Sequence, residues 1–131
     1  MKIVHVIIAA VYKEGYGYQE NILPAKHVEL GLDTYVVSFD TNYPEGKEYI
    51  NDDGVKVNLL PINFPRISSL RYVSALIRKT RGLYALLDII TPDIIFIHGL
   101  QAVDSLTVYK WCKKHPAVKL YIDQHADYYN T

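Results

Sequence analysis

The sequence predicts an α/β domain, a doubly wound, Rossmann-like parallel sheet with strand order 3-2-1-4-5. Two observations carry that expectation. Five short, largely apolar runs have the β-branched content expected of strands covered on both faces. Between them lie stretches with apolar residues at helical spacing, so each strand returns to the sheet through a right-handed crossover. Half of the 131 residues are apolar (50%), and no repeat or linker divides the chain, so residues 1–131 read as one domain.

Taken in order, the strands are expected at Ile3–Ala9, Thr34–Phe39, Val55–Leu60, Ile94–His98 and Lys119–Asp123. A first helix covers Ile22 to Leu30 and stops at Gly31, a residue suited to a left-handed C-terminal cap. Its start is ambiguous because of Pro24: either Asn21 caps a helix beginning at Ile22, or a longer helix kinks at Pro24. "NDDGVKV" (Asn51–Val57) carries an Asp-Gly turn, and Glu48–Ile50 is expected to pair with Val55–Val57 as a hairpin. A long helical region from Ile67 to Ile90 is divided at Gly82 and ends at "TPD", Thr91–Asp93. The last helix runs from Ala102 to Lys114, with basic residues at its C-terminal end to complement the helix dipole.

Composition narrows the function classes. Lys plus Arg and Asp plus Glu number fourteen each, so no global charge points to nucleic acid or an acidic partner. The single cysteine, Cys112, excludes an internal disulfide framework and fits a reducing compartment. The opening run is too short and too β-branched for a signal peptide, and no window approaches a bilayer span, so a soluble, cytoplasmic protein is expected. The chain ends in "LYIDQHADYYNT", just past a strand-like run, and the expectation is one half of a longer protein.

In an open parallel sheet, ligands bind beyond the carboxyl ends of the strands near the switch point. Three loops meet that description. After the first strand come Gly15 and Gly17, after the fourth His98 and Gly99, after the fifth Asp123, His125 and Asp127. The glycines allow backbone N–H groups to approach a ligand, and the following helix N-terminus would favour a phosphate. The pattern is G-x-G followed by Gln19 and Glu20, neither a full dinucleotide fingerprint nor a P-loop. Asp40, ending the second strand, keeps an NAD reading open, and a tight turn without a ligand is the alternative. A histidine ending a strand, as His98 does, ordinarily bonds nearby backbone. His125 sits between Asp123 and Asp127, carboxylates that could orient its ring for base or donor work. His98, His125, Asp123 and Asp127 lack the tight ligand spacings of a metal site, and no metal is expected.

From Gly54 to Leu87 there is no acidic residue but six basic ones: Lys56, Arg66, Arg71, Arg78, Lys79 and Arg81. On a helix, Arg71 and Arg78 would share a face that could meet anionic lipid or a phosphate-bearing acceptor, the plainer alternative being a solvated face. Among twelve tyrosines, Tyr16, Tyr18, Tyr128 and Tyr129 border the crevice, an aromatic rim suited to sugar rings.

These pieces together resemble the N-terminal domain of the family 4 glycosyltransferases. The likeness covers the whole chain, in "MKIVHV", "GYGYQENILP", "LGLDTYVVS", "DDGVKVNLLP", "PDIIFIHGL" and "YIDQHAD", of which the second and fifth are the more specific. The resemblance implies one half of a two-domain GT-B fold, whose C-terminal, donor-binding domain lies outside this chain. It implies a retaining transferase that moves a sugar from a nucleotide-sugar donor to a glycan or lipid-linked acceptor, with the chain silent alone. It further implies His125 beside the reacting sugar, Gly15 and Gly17 near the donor diphosphate and His98 as the histidine ending strand four; from the same crevice loops, Tyr16, Gln19, Glu20, Gly99 and Asp127 are expected in substrate binding. Many members carry adjacent glycines in the first loop, where a tyrosine intervenes here. No cofactor beyond the nucleotide-sugar substrate is implied, and the basic segment (Arg66, Arg71, Arg78, Lys79, Arg81) would allow peripheral contact at the inner membrane face. Two alternatives remain: a free-standing nucleotide or NAD module resting on Gly15, Gly17 and Asp40, and half of a nucleotide-sugar epimerase of the same two-domain plan.

Overall fold

The computed structural model describes residues 1–8, 11–63, 79–100 and 103–123. Within them the chain forms, in order, β1 (Lys2–Val6), α1 (Gln19–Glu29), β2 (Asp33–Ser38), β3 (Lys47–Ile50), β4 (Lys56–Leu59), β5 (Ile62–Asn63), β6 (Lys79–Thr80), α2 (Leu83–Ile90), β7 (Ile94–His98), α3 (Asp104–Lys113) and β8 (Lys119–Asp123). It is an α/β structure with a six-stranded, mostly parallel sheet in the order β3-β4-β2-β1-β7-β8.

That order differs from the expected 3-2-1-4-5 because the sheet has a sixth strand. β3 turns back antiparallel on β4, with Tyr49 opposite Val57, and becomes the sheet edge. The strands inside that edge, β4, β2, β1, β7 and β8, are parallel throughout. The hairpin forms because the Asn51 side-chain oxygen accepts from the Asp53 and Val55 N–H groups at 3.0 and 2.9 Å, while Gly54 takes φ +83°.

Helix α1 is the longer of the two alternatives. It starts at Gln19 and holds the buried Pro24 inside. Asn21 is no cap; its amide donates to the Lys13 carbonyl at 2.7 Å and ties the preceding loop to the helix. The C-terminus is as expected: Gly31 at φ +84° donates to the Val28 carbonyl and Leu32 to that of His27, the paired bonds of a Schellman cap.

The helical region expected from Ile67 to Ile90, divided at Gly82, is found in its second half. Residues 67–78 lie outside the described ones, Lys79–Thr80 form a strand paired with Ile62–Asn63, and the helix begins only after Gly82. Lys79 and Arg81 therefore do not belong to a basic helix face, and Arg66, Arg71 and Arg78 lie outside the described residues. The strand pairing wins there because Asp104 anchors it: its carboxylate accepts from both the N–H and the hydroxyl of Thr80 at 2.8 Å.

The sheet is covered on both faces. Val4, Val6, Val37, Ile95 and Ile97 meet Leu83, Leu87 and Ile90 of α2 and Val108 and Trp111 of α3. On the other face, Val36, Val57 and Leu59 pack with Ile7 and Tyr12, and Val28 of α1 closes over them. Each such buried apolar side chain contributes about 1.5–3 kcal/mol relative to exposure. Among the described residues no helix is long and apolar enough to cross a membrane.

Candidate functional site

Parallel pairing sets the carboxyl ends of β1, β7 and β8 side by side. Val6 stands opposite Ile97, and His98 opposite Asp123. The loop after β1 rises from this edge, and two clefts flank it. The larger, about 520 Å³, is lined by Ile7, Tyr12, Lys13, Tyr16, Tyr18 and Glu20, among others. The smaller, about 330 Å³, is lined by Glu14, Gly15, Tyr16, Gly17, Lys26 and Asp53, among others.

The two glycines are not equivalent. Gly15 takes φ +83°, where a side chain is strained, whereas Gly17 has ordinary backbone and open space around a would-be Cβ. Tyr16 and Tyr18 stack on each other, centroids 5.4 Å apart and planes within 7°, and both are exposed at the rim. Gln19 opens α1, and Glu20 follows in its first turn.

A carboxylate braces this loop from below. Glu14 accepts from the Tyr49 hydroxyl at 2.9 Å and from the Asn51 amide at 3.2 Å, fastening the loop to the β3–β4 hairpin. Burial and the adjoining Glu14 hold the Tyr12 and Tyr49 hydroxyls above the usual phenol range, so both remain donors at any physiological pH. Sequence reasoning passed over Glu14, Tyr49 and Asn51, since nothing local marks residues that meet across 35 or more positions.

His98 meets another histidine across the sheet. It is buried, and its Nε2 lies 2.9 Å from Nδ1 of His5 on β1. His5 in turn reaches Nδ1 of His27 on α1 through its Nε2, also at 2.9 Å, and the His5 and His27 rings stack at 5.0 Å. Burial, and then the neighbouring imidazoles, push His5 down to about 2, so it stays neutral. Burial also lowers His27. Gly99 takes φ +87° and donates to the Asp123 carbonyl at 2.7 Å, locking β7 to β8 at the crevice edge. Neither cleft beside the glycine loop is lined by His98 or Gly99.

Asp40, the residue a dinucleotide ribose would need, uses one carboxylate oxygen to accept from the Asn42 N–H at 2.9 Å in its own turn. His125 and Asp127, with Tyr128 and Tyr129, lie outside the described residues. Among the described residues no three His, Cys, Asp or Glu side chains converge as a metal ion would require. No family model matches the chain, and no curated protein matches it significantly.

Proposed function

We propose that this chain is the N-terminal, acceptor-side half of a retaining glycosyltransferase, a Rossmann-like unit of a GT-B enzyme. The observation that carries the reading is the sheet edge where the ends of β1, β7 and β8 meet below a glycine loop open to two clefts. Gly15 supplies the left-handed backbone that brings loop N–H groups toward a donor diphosphate, and α1 behind it adds the positive end of its dipole. The stacked Tyr16 and Tyr18 offer an aromatic rim of the kind sugar rings pack on. Gln19 and Glu20 stand beside it as hydrogen-bonding groups for hydroxyls, with Gly17 leaving the approach clear. His125 would lie next to the reacting sugar, with Asp127, His98 and Gly99 completing the substrate contacts. The work would be done in the cytoplasm, with peripheral membrane contact through the basic segment that includes Arg66, Arg71, Arg78, Lys79 and Arg81.

The test is the complete reading frame, expressed and assayed for transfer from a panel of nucleotide sugars to glycan and lipid-linked acceptors. Transfer that collapses in His125→Ala is expected. Turnover of a nucleotide sugar without any acceptor would favour an epimerase instead. The nucleotide or NAD module, which rests on Gly15, Gly17 and Asp40, is separated by titrating the chain with NAD and nucleotides while following amide shifts: silence across the panel would count against that reading.

A further inference from the structure

We propose that His27, His5 and His98 form a coupled tautomer relay, in which the ring of His27 on α1 determines which nitrogen of His98 carries the proton at the end of β7. The inference goes beyond the transferase reading and holds for whatever ligand the crevice takes.

A neutral imidazole has one N–H donor and one bare acceptor nitrogen. His5 is fully buried, with both ring nitrogens at 2.9 Å from another histidine nitrogen. It can therefore donate one of these bonds and must receive the other. Only two arrangements of the neutral line satisfy both contacts. In the first, His27 Nδ1–H donates to His5 Nε2, and His5 Nδ1–H donates to His98 Nε2, which is bare. In the second, every bond reverses: His98 Nε2–H donates to His5 Nδ1, and His5 Nε2–H donates to His27 Nδ1, which is bare. His98 thus carries its proton on Nδ1 in the first arrangement and on Nε2 in the second. A mixed arrangement would set two N–H groups or two lone pairs against each other in a buried site, which costs a full unmet hydrogen bond.

His27 is the member of the line that meets solvent, being only half-buried where His5 and His98 are buried. A second proton on His27 makes Nδ1 an obligatory donor and admits only the first arrangement. The titratable groups facing His5 are His27 from α1 and His98 from β7, with the Phe96 ring tilted beside it at 5.6 Å. On α1 the neighbours of His27 in the chain include Lys26, which pairs with Glu29 at 3.1 Å. Across from His98 on β8 stands Asp123. His27 and His5 are positioning residues, acting through His98 at the carboxyl end of β7.

The experiment is ring-nitrogen NMR on the chain labelled with ¹⁵N-histidine, reading the protonation of each nitrogen at neutral pH. The proton occupancies of His98 Nε2 and His27 Nδ1 are expected to be complementary and to sum to one. Both protonated or both bare would overturn the relay. Lowering the pH through the titration of His27 should leave His98 Nε2 wholly bare while His5 stays neutral; an Nε2 still protonated beside a charged His27 would overturn it as well. In His5→Phe the complementarity should vanish, and its persistence there would point to independent rings. A merely packed histidine cluster gives no such sum. Because the neutral-pH measurement uses the unaltered chain, the result does not depend on whether the variant folds.

Discussion

The two faces of the sheet are built on different principles. On the α2 and α3 side, β1 presents Val4 and Val6 to Leu87, Val108 and Trp111, an apolar contact closed at its rim by one bond from the Trp111 indole N–H to Asp88 at 2.8 Å. On the α1 side, the same strand presents Ile3 and His5, with Ile7 just beyond its end, and His5 is a histidine with no exposed surface. Packing alone would favour another aliphatic residue there, since a buried polar group is tolerated only when its hydrogen bonds are met. One face is therefore optimised for cohesion, and the other gives up cohesion to hold a hydrogen-bonded line to the crevice edge.

Breaking the apolar face should cost most. Trp111→Ala removes the largest fully buried side chain and leaves Asp88 without its donor, with an expected loss of about 3–5 kcal/mol in urea unfolding. A loss below about 1 kcal/mol would mean that α3 contributes little to this core.

The polar face should break more gently, and with a pH signature. His5 and His27 have lowered values in the folded chain, so below about pH 6.5 the unfolded chain binds protons that the folded chain refuses. Stability on this account is full above that pH and declines as pH falls. For the buried His5 the slope approaches about 1.4 kcal/mol per pH unit. His5→Phe should cost about 1–3 kcal/mol at neutral pH by stranding its two partners, and should remove one proton from the slope between pH 6 and 4. Equal slopes for both proteins in pH-dependent unfolding would show that His5 titrates freely.

The glycine loop sharpens the contrast at smaller scale. Gly15→Ala is expected to cost about 1–2 kcal/mol, because φ +83° is a left-handed conformation, whereas Gly17→Ala should shift stability by only about 0.5 kcal/mol or less. Matching losses at the two positions would contradict the difference in backbone. The smallest effect belongs to the solvent side of α1. Lys26→Ala breaks an exposed i,i+3 pair with Glu29 and should change unfolding by less than about 0.5 kcal/mol, an effect that added salt erases.

Much of the fold was legible because it is written in short range. The β-branched runs gave β2, β4, β7 and β8 within a residue or so, Gly31 marked the end of α1, and Gly82 the start of α2. The hairpin strand β3 is readable from Asn51 to Gly54, but the turn by itself does not say that β3 joins the sheet as an added edge strand. The stretch at Lys79–Thr80 read as helix because its partners, Ile62–Asn63 and Asp104, lie about 17 and 24 residues away in the chain. For the site, the glycine loop and the histidine that ends β7 were visible as residue types at strand ends. Glu14 as a brace and His5 as a link were not, since a lone histidine in "KIVHV" looks like any other core position.

By itself, then, the sequence determined the alternation of strands and helices, the caps and the turn, each set by periodicity and by the backbone preferences of a few Gly, Asn and Pro residues. Only the tertiary structure decided that His5, His27 and His98 share one line. Their separations of 22 and 93 positions carry no local signal. Parallel register sets His5 opposite Phe96 and so brings His98 within reach on the same face, while the packing of α1 delivers His27 from above. Side-chain period alone says which face a residue takes; which residue it meets there depends on the register of strands distant in the chain.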